Sequence, residues 1–118
     1  MSGVMTAEEY LRELSAALAD RYSGDCLAHA RRIQAHLIAE GRNAWIGRFR
    51  KTERRGSTTF HAPLMPLRFR GRGAPTWTTH YVCCSGETAY DPLLGAPVPL
   101  AIYSVAVFGE EMDIEPAG

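Results

Sequence analysis

Apolar residues recur every three or four positions near the start of the chain, which is the spacing of an amphipathic helix. The first series is Tyr10, Leu11, Leu14 and Leu18. Thr6 and Glu9 stand just before it at the spacing of a capping box, in which the Thr oxygen accepts from a free helix amide and the Glu reaches back. The pattern predicts a helix over residues 7–21.

A second apolar series follows a break at residues 23–25 and predicts a helix over residues 26–40. Ser23 and Asp25 both suit the N-cap position, where a side-chain oxygen accepts from the first amides. Gly41 suits the left-handed position that ends a helix. The apolar members of the series are Leu27, Ala30, Ile33, Leu37 and Ile38.

The remainder of the chain favours strands, because β-branched and aromatic residues alternate with polar ones between turn residues. The predicted strands cover residues 44–51, 60–70, 79–85 and 88–91. Pro63 and Pro66 interrupt the second of them, since a Pro cannot donate to a strand ladder. The apolar stretch over residues 98–108 fits a strand or a short helix, because its periodicity favours neither.

The connections between the strands are predicted from their turn residues. We expect a charged turn over residues 51–57, a Gly-rich loop over residues 70–75 and a tight hairpin turn at residues 86–87. Two helices followed by a small antiparallel sheet make an α+β arrangement, with the helices packed on the sheet. The 118 residues suffice for a single domain, residues 1–118.

Composition is that of a water-soluble globular protein, with 46% hydrophobic and 22% charged residues. No apolar run reaches the roughly 20 residues of a membrane helix. The N-terminus lacks the basic start and apolar stretch of a secretory signal. We therefore predict a cytoplasmic protein without membrane contact.

The three Cys residues are Cys26, Cys83 and Cys84. Their odd number and the adjacency of two of them argue against a disulfide framework, and a reducing compartment fits. No pair of Cys or His residues has a third ligand at zinc-binding spacing, so we predict neither a metal nor another cofactor.

Charge is unevenly distributed although the net charge is zero. Residues 1–25 carry five acids and two Arg, residues 48–73 carry eight of the 13 bases, and residues 74–118 carry six acids and no base. A basic middle segment could bind nucleic acid, an acidic partner or an anionic substrate. Alternatively, these residues form solvated faces and loops whose charge balances the acidic ends.

Cys26, His80 and Asp91 could form a catalytic group. Cys26 opens a predicted helix, where free amides and the helix dipole stabilise a thiolate, the nucleophilic form of Cys. His80 opens a strand, and Asp91 ends the next strand, so a hairpin centred on residues 85–87 places residue 91 or 92 opposite His80. A carboxylate there would fix the imidazole tautomer and stabilise the imidazolium.

Each member of this group also has a plain structural interpretation. Cys26 could be a small core residue, since free Cys is usually buried and inert. Asp91 could simply cap the Asp-Pro turn. The combination of the three residues at these positions, rather than any one of them, favours a catalytic role.

The other His and Cys residues carry weaker signals. His29 and His36 share a face of the second helix, but no third ligand is spaced with them. His61 precedes a Pro-broken strand and has no evident partner. Cys83 and Cys84 should face opposite sides of their strand, and we interpret both as packing residues.

The order of Cys at a helix start, then His, then Asp in a hairpin resembles that of the papain-like cysteine hydrolases. Residues 24–30, Gly-Asp-Cys-Leu-Ala-His-Ala, followed by a helix and a strand, are similar to bacterial papain-fold toxin domains. Deamidase relatives and C39-type peptidases share the general plan. His80-Tyr81-Val82 and the later run Tyr-Asp-Pro-Leu-Leu-Gly at 90–95 resemble a block of those enzymes, and the resemblance covers about residues 20–108.

The resemblance implies that Cys26 is the nucleophile, His80 the general base and acid, and Asp91 the residue that orients His80. A thiolate would attack an amide carbonyl, and water or an amine would resolve the thioester, as in peptide cleavage, glutamine deamidation and transamidation. The substrate would be a protein or peptide amide, and an acidic or immunity-type protein is a candidate partner. The enzyme would act in the cytoplasm or be delivered as an effector by a non-classical route.

The sequence departs from papain-type peptidases at the oxyanion site. Those enzymes have a Gln six residues before the nucleophile, where this chain has Asp20, which cannot donate a hydrogen bond when ionised. The backbone amide of Cys26 could supply one donor. Tyr22, Asn43 or another backbone amide are candidates for the second.

Two alternatives to a cysteine hydrolase remain. One is a binding module for nucleic acid or a protein partner, built on the basic segment 48–73. Its stacking surfaces would be Trp45, Phe49, Phe60, Phe69 and Trp77. No motif of a known nucleic-acid-binding fold accompanies this segment. The other alternative is an inactive papain-like scaffold that binds a partner.

Overall fold

Helices and antiparallel strands make up a mixed α+β fold, in a computed structural model that describes residues 5–18, 25–69 and 77–117. The helices are α1 (Ala7–Leu18), α2 (Cys26–Ala39) and α3 (Leu100–Phe108), with a 3-10 turn at Leu67–Phe69. The strands are β1 (Trp45–Phe49), β2 (Lys51–Arg55), β3 (Thr58–Ala62), β4 (His80–Ser85), β5 (Thr88–Tyr90), β6 (Val98–Pro99) and β7 (Ile114–Pro116). The predicted fold class is confirmed.

The first helix begins as its capping box predicts. The Thr6 Oγ1 accepts from the Glu9 amide at 3.1 Å, and the Thr6 amide donates to Glu9 Oε1 at 3.0 Å. The Ala7 amide donates to the carboxylate of Glu40 at 2.7 Å, which ties the start of α1 to the end of α2. The predicted end of this helix at residues 19–21, the cap candidate Ser23 and the loop 70–75 lie outside the described residues.

The second helix begins at Cys26 as predicted and ends within one residue of its expected limit. Asp25 is its N-cap residue, but it makes no side-chain capping hydrogen bond, so that part of the prediction is wrong. Gly41 adopts the left-handed conformation with a φ of 77°. That conformation is cheap for Gly because it has no Cβ, which explains why the chain turns here into β1.

Five strands form the central sheet in the order β6-β5-β4-β1-β7. β1 and β4 pair antiparallel, with Trp45 opposite Cys84 and Phe49 opposite His80. Because side chains alternate along a strand, the sheet presents two different apolar faces. Both faces are covered, which accounts for the apolar run in β4, where alternation is weak.

Helices α1 and α2 cover one face of the sheet and α3 covers the other. The first interface joins Leu11, Ala30, Ile33 and Leu37 to Ile46, Cys83 and Tyr90. The second joins Tyr103, Val107 and Phe108 to Phe49, Val82, Cys84 and Ala89. Cys26 belongs to the second cluster although it begins α2, so it lies where the two layers meet.

The charged turn predicted over residues 51–57 is wrong. Those residues form β2 and the turn at Gly56, whose φ is 59°, and β2 pairs with β3 in a separate two-stranded ribbon. Its residues are mostly exposed on both sides, so the apolar alternation that marks a half-buried strand is absent. The strand predicted up to residue 70 ends at Ala62, before Pro63, as expected for a Pro.

The C-terminal region resolves the ambiguous apolar stretch as the short strand β6 followed by α3. Gly109 ends α3 with a φ of 80°. Strand β7 was not predicted, because it has only three residues and includes a Pro. It is held by Glu115, whose carboxylate lies 3.1 Å from Arg50 and 3.4 Å from Arg48. Among the described residues, no helix has the length and apolar character needed to span a bilayer.

Candidate active site

Cys26 is the first residue of α2 and is 6% exposed. At this position its backbone amide and those that follow have no partner within the helix, so the helix start favours a negative charge on the sulfur. Helix α2 packs on β4, which brings its first turn close to the start of that strand. The fold therefore places Cys26 beside His80 and Tyr81.

His80 and Asp91 are in direct contact, and both are buried. The His80 Nε2 lies 2.7 Å from Asp91 Oδ2. The second oxygen, Oδ1, accepts from the Leu93 amide at 2.9 Å, so the carboxylate is fixed at both ends. Asp91 thus both caps the turn after β5 and holds the imidazole, which combines the two interpretations of this residue.

The register that produces this contact differs from the predicted one. Ser85 pairs with Thr88 and Cys83 with Tyr90, so Asp91 falls opposite Val82 and not opposite His80. Positions 80 and 82 share a face of β4, so Asp91 is the diagonal neighbour of His80. The two side chains reach across this diagonal, so the expected contact forms although the register differs from the predicted one.

Cys26 and His80 are close enough to interact, and each shifts the pKa of the other. Burial alone would raise the pKa of the Cys26 thiol, but the hydrogen bond and charge of His80 and the backbone amide of Tyr81 outweigh it and lower that pKa. The thiolate form of Cys26 is thus more accessible than that of an ordinary thiol.

The pKa of His80 moves in the opposite direction. Burial alone would lower it, but the charge and hydrogen bond of Asp91, with the bond to Cys26, raise the pKa to about 9. Near neutral pH the imidazole is therefore protonated. The arrangement favours a thiolate–imidazolium pair stabilised by a carboxylate.

Aromatic rings surround the imidazole. Trp77 stacks on it with ring centroids 5.2 Å apart and planes inclined by 11°, and Phe108 meets it edge-on at 5.7 Å. The face of an indole attracts a cation, so Trp77 stabilises the imidazolium. The rings also exclude water, which strengthens the interaction of His80 with Asp91.

Tyr103 of α3 joins the group, and sequence reasoning missed it. Its hydroxyl donates to Asp91 Oδ2, and its oxygen lies 3.1 Å from His80 Nε2. The residue stands in an apolar stretch whose secondary structure the sequence left open, so nothing local indicated which way its hydroxyl would point.

Cys83 and Cys84 differ from Cys26 in their surroundings. They face opposite sides of the sheet, both are 0% exposed, and burial raises the pKa of each thiol to about 12. They are packing residues, as predicted.

Of the remaining His residues, His29 lies within reach of the charge of Asp91, although burial lowers its pKa. His36 stacks on Tyr10 with centroids 4.3 Å apart, His29 is half-buried on α2, and His61 is exposed on β3. Within the described ranges, no three His, Cys, Asp or Glu side chains are grouped so as to hold a metal ion.

The structure narrows the choice of oxyanion donors. Asp20 and Tyr22 lie outside the described residues. Asn43 is a wrong candidate, because its carbonyl accepts from the Ser85 hydroxyl at the far end of β4. That strand has six residues, so its ends are roughly 17 Å apart at about 3.3 Å per residue. The Cys26 amide remains as one donor.

Of the five aromatic residues predicted to stack on bases, three are buried, whereas Trp45 and Phe60 are half-buried. Phe49, Phe69 and Trp77 are buried in the core at 1%, 0% and 7% exposure. Arg48 and Arg50 bind Glu115 of β7, and these contacts use part of the segment's charge within the fold.

Another basic residue of this segment also has a structural role. Arg68 donates to the Ser15 hydroxyl and to the Pro92 carbonyl, each at 3.0 Å. Because Pro92 follows Asp91, Arg68 supports the turn that carries the carboxylate.

No protein-family model, curated protein or solved structure matches the chain. The function is therefore argued from the geometry of Cys26, His80, Asp91 and Tyr103.

Proposed function

We propose that the protein is a papain-like cysteine amidohydrolase with Cys26, His80 and Asp91 as its catalytic triad. One observation carries the proposal: a single buried imidazole lies 2.7 Å from a carboxylate and is close enough to a thiol at a helix start to lower the pKa of that thiol. Cys83 and Cys84 show the opposite shift, since burial raises the pKa of each thiol to about 12.

The proposed reaction begins with the Cys26 thiolate attacking the carbonyl carbon of an amide. The carbonyl electron pair moves to oxygen, where the Cys26 amide at the start of α2 would stabilise the charge. His80 then donates its proton to the departing nitrogen, the carbon–nitrogen bond breaks, and a thioester and an amine remain. With a glutamine side chain, the departing group is ammonia.

Neutral His80 completes the cycle by accepting a proton from water as the water attacks the thioester. The carbon–sulfur bond breaks, the acid leaves, and the thiolate–imidazolium pair is restored. An amine in place of water would give acyl transfer. Asp91 keeps the ring oriented and stabilises its charge throughout, without itself taking the proton.

Alkylation tests the nucleophile directly. We expect iodoacetamide to modify Cys26 at neutral pH at least about 100-fold faster than Cys83 or Cys84, because only Cys26 combines a lowered pKa with some exposure. Peptide mapping by mass spectrometry at timed intervals gives the three rates in one sample.

The three thiols provide their own control, since in denaturant they should react at similar rates. Equal rates in the native protein, or a Cys26 that reacts no faster than the other two, would contradict an activated nucleophile.

The pH dependence of turnover should be bell-shaped, because the active form needs a thiolate and an imidazolium together. Activity should fall as the pH rises through about 9, where His80 loses its proton. Activity should also fall in acid, as Cys26 becomes protonated. Because the pKa of Cys26 is lowered, this limb should lie below the ordinary thiol value of 9.0. The profile of kcat/KM for ammonia release from glutamine peptides measures both limbs.

A profile with one limb that only rises towards pH 9 would show an ordinary thiol without an imidazolium partner. That outcome would exclude the proposed ion pair.

A further inference from the structure

We infer that Tyr103 is a positioning residue of this site, which sets how strongly Asp91 attracts the proton of His80. The inference rests on the proposed function for its catalytic meaning, but its geometry is independent of turnover. Tyr103 does not touch the reacting sulfur in this account and acts through the carboxylate.

The hydrogen bonds of Asp91 distinguish its two oxygens. Oδ1 accepts from the Leu93 amide, whereas Oδ2 accepts both from His80 Nε2 at 2.7 Å and from the Tyr103 hydroxyl. The hydroxyl therefore competes with the imidazole for the same oxygen. A donor to a carboxylate oxygen stabilises its charge and so weakens its attraction for a second proton.

The position of the hydroxyl is fixed by packing. Tyr103 is 0% exposed, and its ring stacks on Phe49 at 5.3 Å. Phe49 is the β1 residue paired with His80, so the tyrosine is anchored to the strand position next to the imidazole. The Tyr103 oxygen also lies 3.1 Å from His80 Nε2. Its bond to Asp91 is the stronger contact, because the carboxylate is charged.

Among the described residues, the titratable groups shown to interact with His80 come from three elements. They are Cys26 of α2, Asp91 after β5 and Tyr103 of α3. The other neighbours described above are the rings of Phe49, Trp77 and Phe108, which carry no charge. A change at Tyr103 should therefore reach His80 mainly through Asp91.

The test is the titration of His80 by NMR of its imidazole in the full chain. In Tyr103→Phe we expect its midpoint to rise by about one to two pH units, the size of one lost hydrogen bond to a charged group. The imidazolium should then donate its proton less readily, and kcat should fall about tenfold with little change in KM.

Tyr90→Phe is the matched control. Tyr90 is also buried and its hydroxyl also has a partner, Arg42, but it packs on the opposite face of the sheet. Tyr90→Phe should change the midpoint of the His80 titration by no more than about 0.2 pH units. A His80 midpoint that stays unchanged or falls in Tyr103→Phe would overturn the inference.

If Tyr103→Phe does not fold, 3-fluorotyrosine at position 103 keeps the shape and makes the hydroxyl a stronger donor. The His80 midpoint should then fall, and a rise or no change would overturn the inference. Because NMR needs no substrate, this result is separate from the proposed function, which fails if Cys26 proves unnecessary for amide hydrolysis.

Discussion

Replacing Cys26 by Ala should lower amide hydrolysis at least about 1000-fold, because no other group supplies the sulfur that forms the thioester. We expect the loss in kcat, with the fold retained, since Ala occupies a similar volume at the helix start. Ammonia release from glutamine peptides and cleavage of a mixed peptide library, compared between wild type and variant, measure it.

The control for this substitution is Cys83→Ala, which removes a buried thiol from β4 on the face of the sheet that packs against α1 and α2. Its rate should stay within a few-fold of wild type if the sheet remains intact. Equal activity in wild type and Cys26→Ala would disprove the nucleophile. Complete inactivity of the wild type on every amide tested would favour the partner-binding scaffold over an enzyme.

Asp91→Asn should lower the rate by roughly 100- to 10,000-fold, because the amide cannot stabilise the imidazolium as the carboxylate does. Burial then dominates at His80 and its pKa should fall below about 9. A neutral His80 no longer provides the charge that lowers the pKa of Cys26, so the thiolate fraction should fall as well. Rate, imidazole titration and Cys26 alkylation measure the three effects.

These effects should move together in Asp91→Asn, since one charge produces all of them. A variant that keeps the alkaline limb near pH 9 would show that Asp91 only caps its turn. This substitution and Tyr103→Phe should shift the His80 midpoint in opposite directions, which separates loss of the carboxylate from loss of its second donor.

Helices α1 and α2 were predictable because their signals are local. Thr6 and Glu9 begin α1 through their own hydrogen bonds, and Gly41 follows α2 with the positive φ that its residue type allows. Apolar spacing of three and four then marks the faces that meet the sheet. Such features depend on neighbours in sequence and need no knowledge of the tertiary structure.

The ribbon β2–β3 and strand β7 were not predictable from the same rules. The ribbon buries little on either side, so its polar residues carry no alternation. Strand β7 exists because β1 offers an edge and Arg48 and Arg50 offer a partner for Glu115. Both depend on what lies across space, which a local pattern does not record.

The residues of the site also differ in whether a local sequence signal marks them. Cys26 was visible from its place at a helix start, and the contact of His80 with Asp91 followed from a short hairpin, which tolerated an error in register. Tyr103 comes from α3, which reaches the group from the other side of the sheet. Its participation follows from long-range packing, so only the folded structure reveals it.

The candidate site lies where the two layers of the fold meet, and this has a consequence for the newly synthesised chain. The thiol comes from a helix on one side of the sheet, the imidazole from the sheet itself, and the supporting hydroxyl from a helix on the other side. Until α2 docks on β4, His80 and the backbone of Tyr81 do not act on Cys26, and the pKa of its thiol is not lowered by them. The acidity of this thiol is thus a property that the chain acquires on folding.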